Sequence, residues 1–260
     1  MEKIYLSIAG FVIEIVLGWT EYIYAKNKIK NDILSDLKGF VIHGKQKKID
    51  YYLKIIEDRS GANLFKKNNK QFFITFYERI AENKIVSYYH TGISQIQTIL
   101  IGIIQSLLSR SQGFMLHGSA INVGDGAYIF LGKPCGGKST IIDLLKEKYQ
   151  GLADDISIIK KENDIFNFYQ IPKAEKISWI IRSKNRYPLE RVFFLRKANY
   201  YKINKINNQE IILRNLMKQL FTEKEDLKPQ LKYLSDFVTN YYQFYILYFG
   251  RDGKKIVKLI

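Results

Sequence analysis

The stretch Gly132-Lys133-Pro134-Cys135-Gly136-Gly137-Lys138-Ser139 decides the fold of this chain. It fits G-x-x-x-x-G-K-[ST], a pattern in which the backbone N–H groups of a glycine-rich loop surround phosphate. The helix after such a loop adds the positive end of its dipole. Lys138 is placed to reach the β- and γ-phosphates, and Ser139 to bind Mg²⁺. We therefore predict a nucleoside triphosphate site formed by Gly132–Thr140.

The segments on either side of the loop match the context that the motif needs, a strand before it and a helix after it. Ala127–Leu131 is uniformly apolar, as expected of a buried strand. Ser139–Tyr149 carries apolar residues at helical spacing, and Gly151 is a typical stop signal. Upstream, Phe114–His117 and Ser119–Val123 predict extended chain that returns to the loop. These patterns indicate an α/β core around the phosphate site.

Two further polar groups lie close to the loop along the chain, His117 and the pair Asp154-Asp155. Alone, an aspartate pair is more often a turn or a cap, and a single histidine is more often structural. One helix beyond a phosphate loop, however, the topology returns the aspartates to the phosphates. One carboxylate could then bind Mg²⁺ while the other accepts the proton of an attacking hydroxyl. His43 and His90 have no such neighbours, and we assign them structural roles.

Leu116-His117-Gly118-Ser119-Ala120, the loop, and Leu152-Ala153-Asp154-Asp155 together resemble the catalytic domain of HPr kinase/phosphorylase. That bacterial serine kinase is related in fold to phosphoenolpyruvate carboxykinase. The resemblance covers about residues 113–160 and is weaker at Pro188–Leu195 and Phe244–Gly253. It implies an α/β fold, mixed α+β in arrangement, with an HPr-kinase-like P-loop core, and on this core we expect a mainly β N-terminal lobe to pack. The chain looks like the small HPr-kinase-like proteins found beside peptide-modification genes.

The resemblance also implies a role for each residue of this constellation. ATP and Mg²⁺ would be the ligands of the loop, with Lys138 stabilising the transferred phosphoryl group and Ser139 on the metal. Asp154 would be the general base, His117 its helper, and Asp155 a metal-side carboxylate. The spacing of these residues along the chain is that of the family.

The chain departs from the bifunctional HPr enzymes after the aspartate pair. Those enzymes carry a glycine-rich signature there, whereas this chain has Phe166–Glu175, in which Glu175 is the candidate for an acidic metal partner. The first 90 residues also do not resemble the regulatory domain of those enzymes. We therefore expect neither HPr as the substrate nor the phosphorylase reaction.

The chain divides into a mostly β N-terminal part, residues 1–90, which is a candidate for substrate docking, and a catalytic core, residues 91–260. Because the apolar helix Ile93–Leu108 joins them without a flexible linker, we expect the two parts to pack together. The other predicted strands are Ile4–Ala9, Phe11–Val16, Tyr51–Ile56, Phe72–Phe76, Ile85–Tyr89, Ile156–Lys160, Ile165–Phe168 and Val192–Leu195, with a C-terminal hairpin of Phe244–Phe249 and Lys255–Leu259. The other predicted helices are Glu210–Phe221 and Lys228–Asn240, while Ile29–Leu37 is either a helix or an irregular connection.

The composition favours a cytoplasmic protein with anionic partners. The net charge is +16, from 41 Lys and Arg against 25 Asp and Glu, although a biased base composition of the source explains it equally well. No long basic run or nucleic-acid-binding module is present, so we expect no nucleic acid partner. The single cysteine, Cys135, excludes an internal disulfide framework. It is either a small residue that fits the loop or a position at which oxidation blocks nucleotide binding.

The N-terminal apolar stretch Ile4–Gly18 is too short to span a bilayer and is interrupted by Glu14. The helix at residues 93–108 carries several Ser, Gln and Thr residues, which suit a globular core better than lipid. We therefore expect no membrane partner.

The function predicted from these observations is an ATP-dependent serine kinase. Its acceptor would be a peptide or small protein of acidic character, as for the kinases that phosphorylate the C-terminal serine of lasso peptides. Two alternatives stay open: a kinase for a small-molecule hydroxyl, and a regulatory module that binds nucleotide without transfer. Arg182, Arg186 and Arg191 are candidates for a phosphoryl clamp, and each can equally be an exposed basic residue. The sequence leaves the oligomeric state, including a homo-oligomer, open.

Overall fold

A computed structural model describes residues 1–44, 46–57, 66–68, 71–73, 76–223 and 226–260, with the backbone alone described at 66–68 and 71–73. Grouping by backbone proximity separates two compact units. The first contains Met1–Ile104 and Pro172–Ala174, and the second contains Gln105–Ile171 and Glu175–Ile260. Because such grouping does not show that a part folds alone, the predicted division at residue 90 stays a prediction.

A mixed sheet forms the first unit. Its elements are β1 (Glu2–Ile8), β2 (Phe11–Leu17), α1 (Ile23–Asp36), β3 (Val41–Ile42), β4 (Tyr51–Ile56), β5 (Lys66–Asn68), β6 (Gln71–Phe73), β7 (Tyr77–Ala81), β8 (Lys84–Tyr88) and most of α2 (Ile93–Leu108). The six-stranded sheet has the order β3-β1-β2-β4-β8-β7, and β5 pairs separately with β6. Neighbours pair antiparallel except at β2–β4 and β4–β8, which are parallel.

Most strands predicted for this part lie close to their predicted bounds. Ala9 and Gly10 join β1 to β2 with φ of 51° and 78°, as a two-residue hairpin requires. The undecided segment Ile29–Leu37 is helical, because α1 covers it as far as Asp36. The strand predicted at Phe72–Phe76 begins inside β6, and residues 74 and 75 lie outside the described residues.

The second unit combines a larger sheet with helices. Its elements are β9 (Gly113–Val123), β10 (Gly126–Leu131), α3 (Lys138–Leu145), β11 (Gln150–Ala153), β12 (Ile156–Glu162), β13 (Ile165–Tyr169), β14 (Tyr187–Lys197), β15 (Lys202–Lys205), α4 (Gln209–Met217), α5 (Leu227–Asn240), β16 (Phe244–Phe249) and α6 (Gly253–Val257). The sheet runs β10-β9-β12-β13-β14-β16-β15, with β11 beside β9. A parallel pairing of β10 with β14 joins β9, β10, β14, β13 and β12 into a closed ring.

The two faces of this sheet bury different helices. Along β10, Ala127, Ile129 and Leu131 belong to a hydrophobic cluster that includes residues of α4 and α5. Tyr128 and Phe130 belong to a second cluster that includes residues of α3 and α6. This alternation is the two-residue period of a strand. It sets α3 on one face, with its first turn next to the end of β10, and it confirms the predicted α/β class.

The predicted C-terminal hairpin is wrong. β16 has the predicted bounds, Phe244–Phe249, but Gly253–Val257 forms the helix α6 instead of a returning strand. Asp252 caps this helix by accepting a hydrogen bond from the N–H of Lys255 at 3.2 Å. Ile256 is fully buried in the cluster shared with α3. β16 pairs instead with β14 and β15.

Two predicted helix ends also differ from the structure. The helix predicted at Ser139–Tyr149 ends at Leu145, and Gly151 belongs to β11 because the chain there pairs with β9. The helix predicted at Glu210–Phe221 ends at Met217, since the following residues form backbone hydrogen bonds with β9. None of the helices in the described ranges is both long enough and apolar enough to cross a lipid bilayer.

Candidate functional site

The phosphate loop joins the end of β10 to the start of α3. Gly137 has φ of 99°, and a Cβ on it would lie 2.7 Å from Cζ of Phe249. A Cβ on Gly136 would lie 2.7 Å from the carbonyl oxygen of Lys133. Cys135 also has positive φ, 59°, which costs a residue other than glycine about 1–2 kcal/mol. Sterics therefore require glycine at Gly137, the second glycine of the motif, and at the adjacent Gly136, where the backbone can approach a phosphate closely.

Lys138 is the first residue of α3 and is partly buried beneath the loop. Its Nζ donates a hydrogen bond to the carbonyl oxygen of Gly132 at 2.8 Å. Burial lowers the pKa of Lys138, while the nearby Asp155 and Cys135 oppose that shift and Lys176 adds to it. An anion bound beside the ammonium group would offset the cost of its burial. The electrostatics of this position therefore favour a negatively charged ligand.

The long strand β9 fixes the aspartate pair. β11 pairs with its C-terminal half and β12 with its N-terminal half, so Asp154 and Asp155 form an irregular step between two regular pairings. At this step the N–H of Gly118 donates to the carbonyl oxygen of Asp155 at 2.9 Å. The hydroxyl of Ser119 donates to the carbonyl oxygen of Asp154 at 3.0 Å. The backbone of both aspartates is thus held beside His117, which lies on the same strand.

Asp154 is the buried member of the pair, with a relative exposure of 4%. Its Oδ2 accepts a hydrogen bond from the N–H of Ile177 at 3.0 Å, and its own N–H donates to Oε2 of Glu175 at 3.1 Å. Burial and a hydrogen bond with the Asp154 side chain raise the pKa of Glu175 to about 9. Glu175 therefore carries a proton at neutral pH. Because Oδ1 of Asp154 and Oε1 of Glu175 are buried without another partner, that proton supplies the donor that the two carboxyl groups need.

Asp155 is the more open member, with 33% of its side chain exposed. Its Oδ1 lies 3.7 Å from Nδ1 of His117, a separation longer than a hydrogen bond. The His117 ring meets Phe221 edge to face, with ring centroids 5.0 Å apart. His117 is therefore next to Asp155, whereas the family resemblance makes it the helper of Asp154.

Gln219 connects the histidine strand to the phosphate loop. The N–H of His117 donates to the carbonyl oxygen of Gln219 at 2.6 Å, and the N–H of Phe221 donates to the carbonyl oxygen of Met115 at 2.9 Å. With its amide oriented to suit its neighbours, Gln219 also donates to the carbonyl oxygens of Gly132 and His117, at 3.0 and 3.2 Å. The segment after α4 thus acts as a short extra strand beside β9.

One cavity of about 580 Å³ brings most of the predicted site residues together. Gly132 and Lys133 do not line it but shape the loop, since the carbonyl oxygen of Gly132 accepts from Lys138 and that of Lys133 accepts from Gly136. Glu175 does not line it either. The predicted residues in its wall are His117, Pro134, Cys135, Gly136, Gly137, Lys138, Ser139, Thr140, Asp154 and Asp155.

Sequence analysis did not single out four other lining residues. Three are the exposed lysines Lys176, Lys197 and Lys218, which form no salt bridge with a carboxylate in the described part of the chain, and the fourth is Gln219. They come from separate segments, and a lysine is common everywhere in this basic chain, so no local pattern marks them. They add positive charge around the site beyond that of Lys138.

The arginines considered as a phosphoryl clamp are outside this cavity. Arg186 lies 3.5 Å from a carboxylate oxygen of Glu162. Arg191 lies over the rings of two tyrosines. Arg182 is close enough to Glu175 to oppose the rise in its pKa. Lysines, not arginines, are therefore the cations outside the loop that face the phosphate site.

The residues present fit a phosphate chain with Mg²⁺. Within the described residues, no three His, Cys, Asp or Glu side chains converge to form a metal site by themselves. Mg²⁺ in nucleotide sites is commonly held by one or two protein oxygens together with phosphates and water. Ser139 and Asp155 provide such oxygens in one cavity with the loop.

Comparison with known proteins gives little further weight to any assignment. No family model matches the chain, and no curated protein matches it significantly. A solved structure with some likeness is the Hpr(Ser) kinase/phosphatase from Coxiella burnetii, at 15% sequence identity and a TM-score of 0.24. The match covers 35% of this chain and 72% of that one. A likeness at this level assigns no function to this chain.

Proposed function

We propose that this chain is an ATP-dependent kinase that phosphorylates a hydroxyl group, that of a serine in an acidic peptide or small protein. One observation carries the proposal: a phosphate-binding loop, two aspartates and a histidine line the same cavity. A module that only binds nucleotide needs the loop alone. Carboxylates beside the loop suit a reaction in which a hydroxyl must lose its proton.

In the proposed reaction the acceptor hydroxyl attacks the γ-phosphorus of ATP. A bond forms between the hydroxyl oxygen and that phosphorus, the bond from the phosphorus to the bridging oxygen breaks, and ADP leaves. The hydroxyl proton passes to an aspartate of the pair. Lys138 and the loop N–H groups stabilise the charge on the phosphoryl oxygens. Mg²⁺, held by Ser139 with Asp155 beside it, would neutralise further charge on the β- and γ-phosphates.

The family resemblance assigns the base to Asp154, and we retain that assignment. Asp154 is buried and accepts a hydrogen bond from the N–H of Ile177, and both would hold its carboxylate in one orientation. A competing assignment makes Asp155 the base, because Asp155 is more exposed and lies next to His117. Substitution of each aspartate separates the two assignments, as argued in the Discussion.

The nature of the acceptor is proposed from charge. Lys176 and Lys218 line the cavity together with the aspartates. Their ammonium groups, which form no salt bridge within the described residues, would attract acidic side chains or a C-terminal carboxylate of the acceptor. A lasso peptide with a C-terminal serine combines the hydroxyl and the carboxylate in one residue. We also propose a cytoplasmic location, where ATP is available and Cys135 stays reduced.

Mass spectrometry of candidate acceptors tests the proposal. The full chain is incubated with Mg-ATP and acidic serine peptides, neutral versions of the same peptides, or free serine, with Lys138→Ala as the inactive control. We expect a gain of one phosphoryl group on the acidic peptides with the unchanged protein alone. Modification of free serine but of no peptide would indicate a small-molecule kinase. Binding of ATP without modification of any acceptor would contradict the kinase and favour the regulatory module.

A further inference from the structure

A second cavity of about 250 Å³ adjoins the phosphate cavity and contains no residue of the aspartate pair. Its wall consists of Thr140, Lys197, Ala198, Phe249, Gly250 and Arg251. We propose that this cavity binds the sugar and base of the nucleoside triphosphate, with the guanidinium of Arg251 stacked on the base. The inference rests on the proposed binding of a nucleoside triphosphate at the loop.

The second cavity is continuous with the phosphate cavity. Thr140 and Lys197 line both cavities, so a ligand in the phosphate cavity has a direct route into the second one. Thr140 follows the motif residue Ser139 in the first turn of α3. Lys197, at the end of β14, places its ammonium group where the two cavities meet, and this group forms no salt bridge with a described carboxylate. A phosphate next to the sugar would find its charge neutralised there.

The positions of the aspartates give the bound nucleotide a direction. Asp154 and Asp155 line the phosphate cavity but not the second one. A phosphoryl group in transfer needs the carboxylates nearby to take the acceptor proton, so the γ-phosphate belongs at their end of the phosphate cavity. The α-phosphate and the nucleoside must then leave toward Thr140 and Lys197, which is the route into the second cavity.

The wall of the second cavity carries a group that can bind a flat base. Arg251 is exposed and forms no salt bridge or hydrogen bond with a described residue. A planar guanidinium of this kind stacks well on flat aromatic rings. A Cβ on Gly250 would lie 2.7 Å from the Tyr201 hydroxyl, so the chain there passes tightly over that side chain. A flat base would stack on this guanidinium, while Lys197 at the opening of the cavity would face the phosphates.

The backbone on both sides of Arg251 is held by hydrogen bonds. The N–H of Asp252 donates to the Tyr201 hydroxyl at 2.9 Å, and the N–H of Ala198 donates to the carbonyl oxygen of Phe249 at 2.9 Å. Phe249 is buried against Gly137 of the loop. Bonds on both sides of Arg251 thus hold its backbone at a fixed distance from the phosphate loop, and a preformed site binds with less ordering cost.

Calorimetric titration with two probes tests the inference. ATP carries a base, whereas inorganic tripolyphosphate carries the phosphates alone. We expect Arg251→Ala to weaken ATP binding roughly threefold to thirtyfold, as loss of a cation–π contact implies, and to leave tripolyphosphate binding within about twofold. The affinity of Arg251→Lys for ATP should lie between those of the unchanged protein and Arg251→Ala, because lysine keeps the charge but loses the planar group. The matched control is Lys254→Ala. Lys254 is an exposed residue of α6 that lines neither cavity, so its loss should change neither affinity.

Two results would overturn the inference. If Arg251→Ala weakens the binding of ATP and of tripolyphosphate equally, Arg251 contacts the phosphates and not the base. If it weakens the binding of neither probe, Arg251 does not contact the nucleotide. Ala198→Phe provides a second variant, since a phenyl group there fills the cavity and should weaken ATP much more than tripolyphosphate. If the unchanged protein binds neither probe, nucleotide binding itself fails. If it binds ATP as expected but transfers no phosphate, the kinase fails and the nucleoside site stands.

Discussion

Asp154 and Asp155 are neighbours in the sequence but lie in opposite surroundings. Asp154 is buried against a protonated Glu175 and accepts a backbone hydrogen bond from Ile177. Asp155 is a third exposed and lies beside His117. The difference shows that two identical carboxylates acquire different chemistry from their burial and from the groups around them. The buried one has a fixed orientation, while the open one can exchange partners with a metal ion or a substrate.

Replacing each aspartate by asparagine tests this comparison most severely. We expect Asp154→Asn to lower kcat by roughly 10²- to 10⁴-fold, the usual contribution of a general base, with ATP affinity largely kept. We expect Asp155→Asn also to weaken the dependence of ATP binding on Mg²⁺. Rapid-quench assays measure transfer, and titrations with and without Mg²⁺ measure binding. The opposite pattern, with metal dependence lost in Asp154→Asn, would exchange the two roles.

The sequence predicts the local parts of this site well and its assembly less well. The loop, the strand before it and the helix after it follow from a short pattern whose physics is local. Gly137 is the second glycine of the motif, and the contact with Phe249 leaves no room for a Cβ there. Gly136 occupies a position that the motif leaves free, so its contact with the Lys133 carbonyl oxygen could not be predicted from the pattern. Lys176, Lys197 and Lys218 could not be found in this way, because only the folded chain brings them together.

The errors in the predicted fold have the same origin. Phe221 has the apolar spacing of a helix, yet its N–H donates to Met115 and the chain is extended there. Gly253–Val257 follows a turn-like segment that suggested a hairpin, but the burial of Ile256 beside α3 and the cap by Asp252 make it helical. In both places a tertiary contact overrides a local preference.

The protonated Glu175 predicts an unusual dependence of stability on pH. Its pKa is raised from 4.5 to about 9 in the folded protein, so the folded state keeps a proton that the unfolded state loses. The stability that the protonated Glu175 contributes to the folded state is fully present below pH 4.5, and it is lost progressively as the pH rises to about 9. Glu175→Gln keeps a donor toward Asp154 without this loss. We expect it to raise the free energy of unfolding by about 3 kcal/mol at pH 7.

Urea denaturation at several pH values measures this effect. The difference between Glu175→Gln and the unchanged protein should grow from pH 5 to pH 8, while Glu147→Gln, which removes an exposed carboxyl group from the same unit, serves as control. A difference that stays constant with pH would show that Glu175 is ionised. The description of Asp154 as packed against a protonated carboxyl group would then be wrong.

Gln219 lines the same cavity as Asp155 and connects His117 to the loop. Gln219→Met has a similar size but cannot donate to the carbonyl oxygens of Gly132 and His117. Loss of a hydrogen bond of this kind costs about 0.5–1.5 kcal/mol. We therefore expect kcat/KM to fall by roughly twofold to tenfold, with a larger loss in transfer than in ATP affinity. An unchanged rate would show that the position of His117 does not matter for transfer.

The smallest expected effects concern the exposed lysines that line the phosphate cavity near Asp155. Lys218→Ala should raise KM for an acidic peptide by roughly twofold to fivefold, because an exposed ion pair contributes little and is screened by salt. KM for the neutral version of the peptide should stay the same, and the difference should shrink as the ionic strength rises. Lys232→Ala removes an exposed charge on α5 outside the cavity and is the matched control. An equal rise in KM for acidic and neutral peptides would mean that Lys218 acts on ATP instead, and the acceptor would then lose its proposed acidic character.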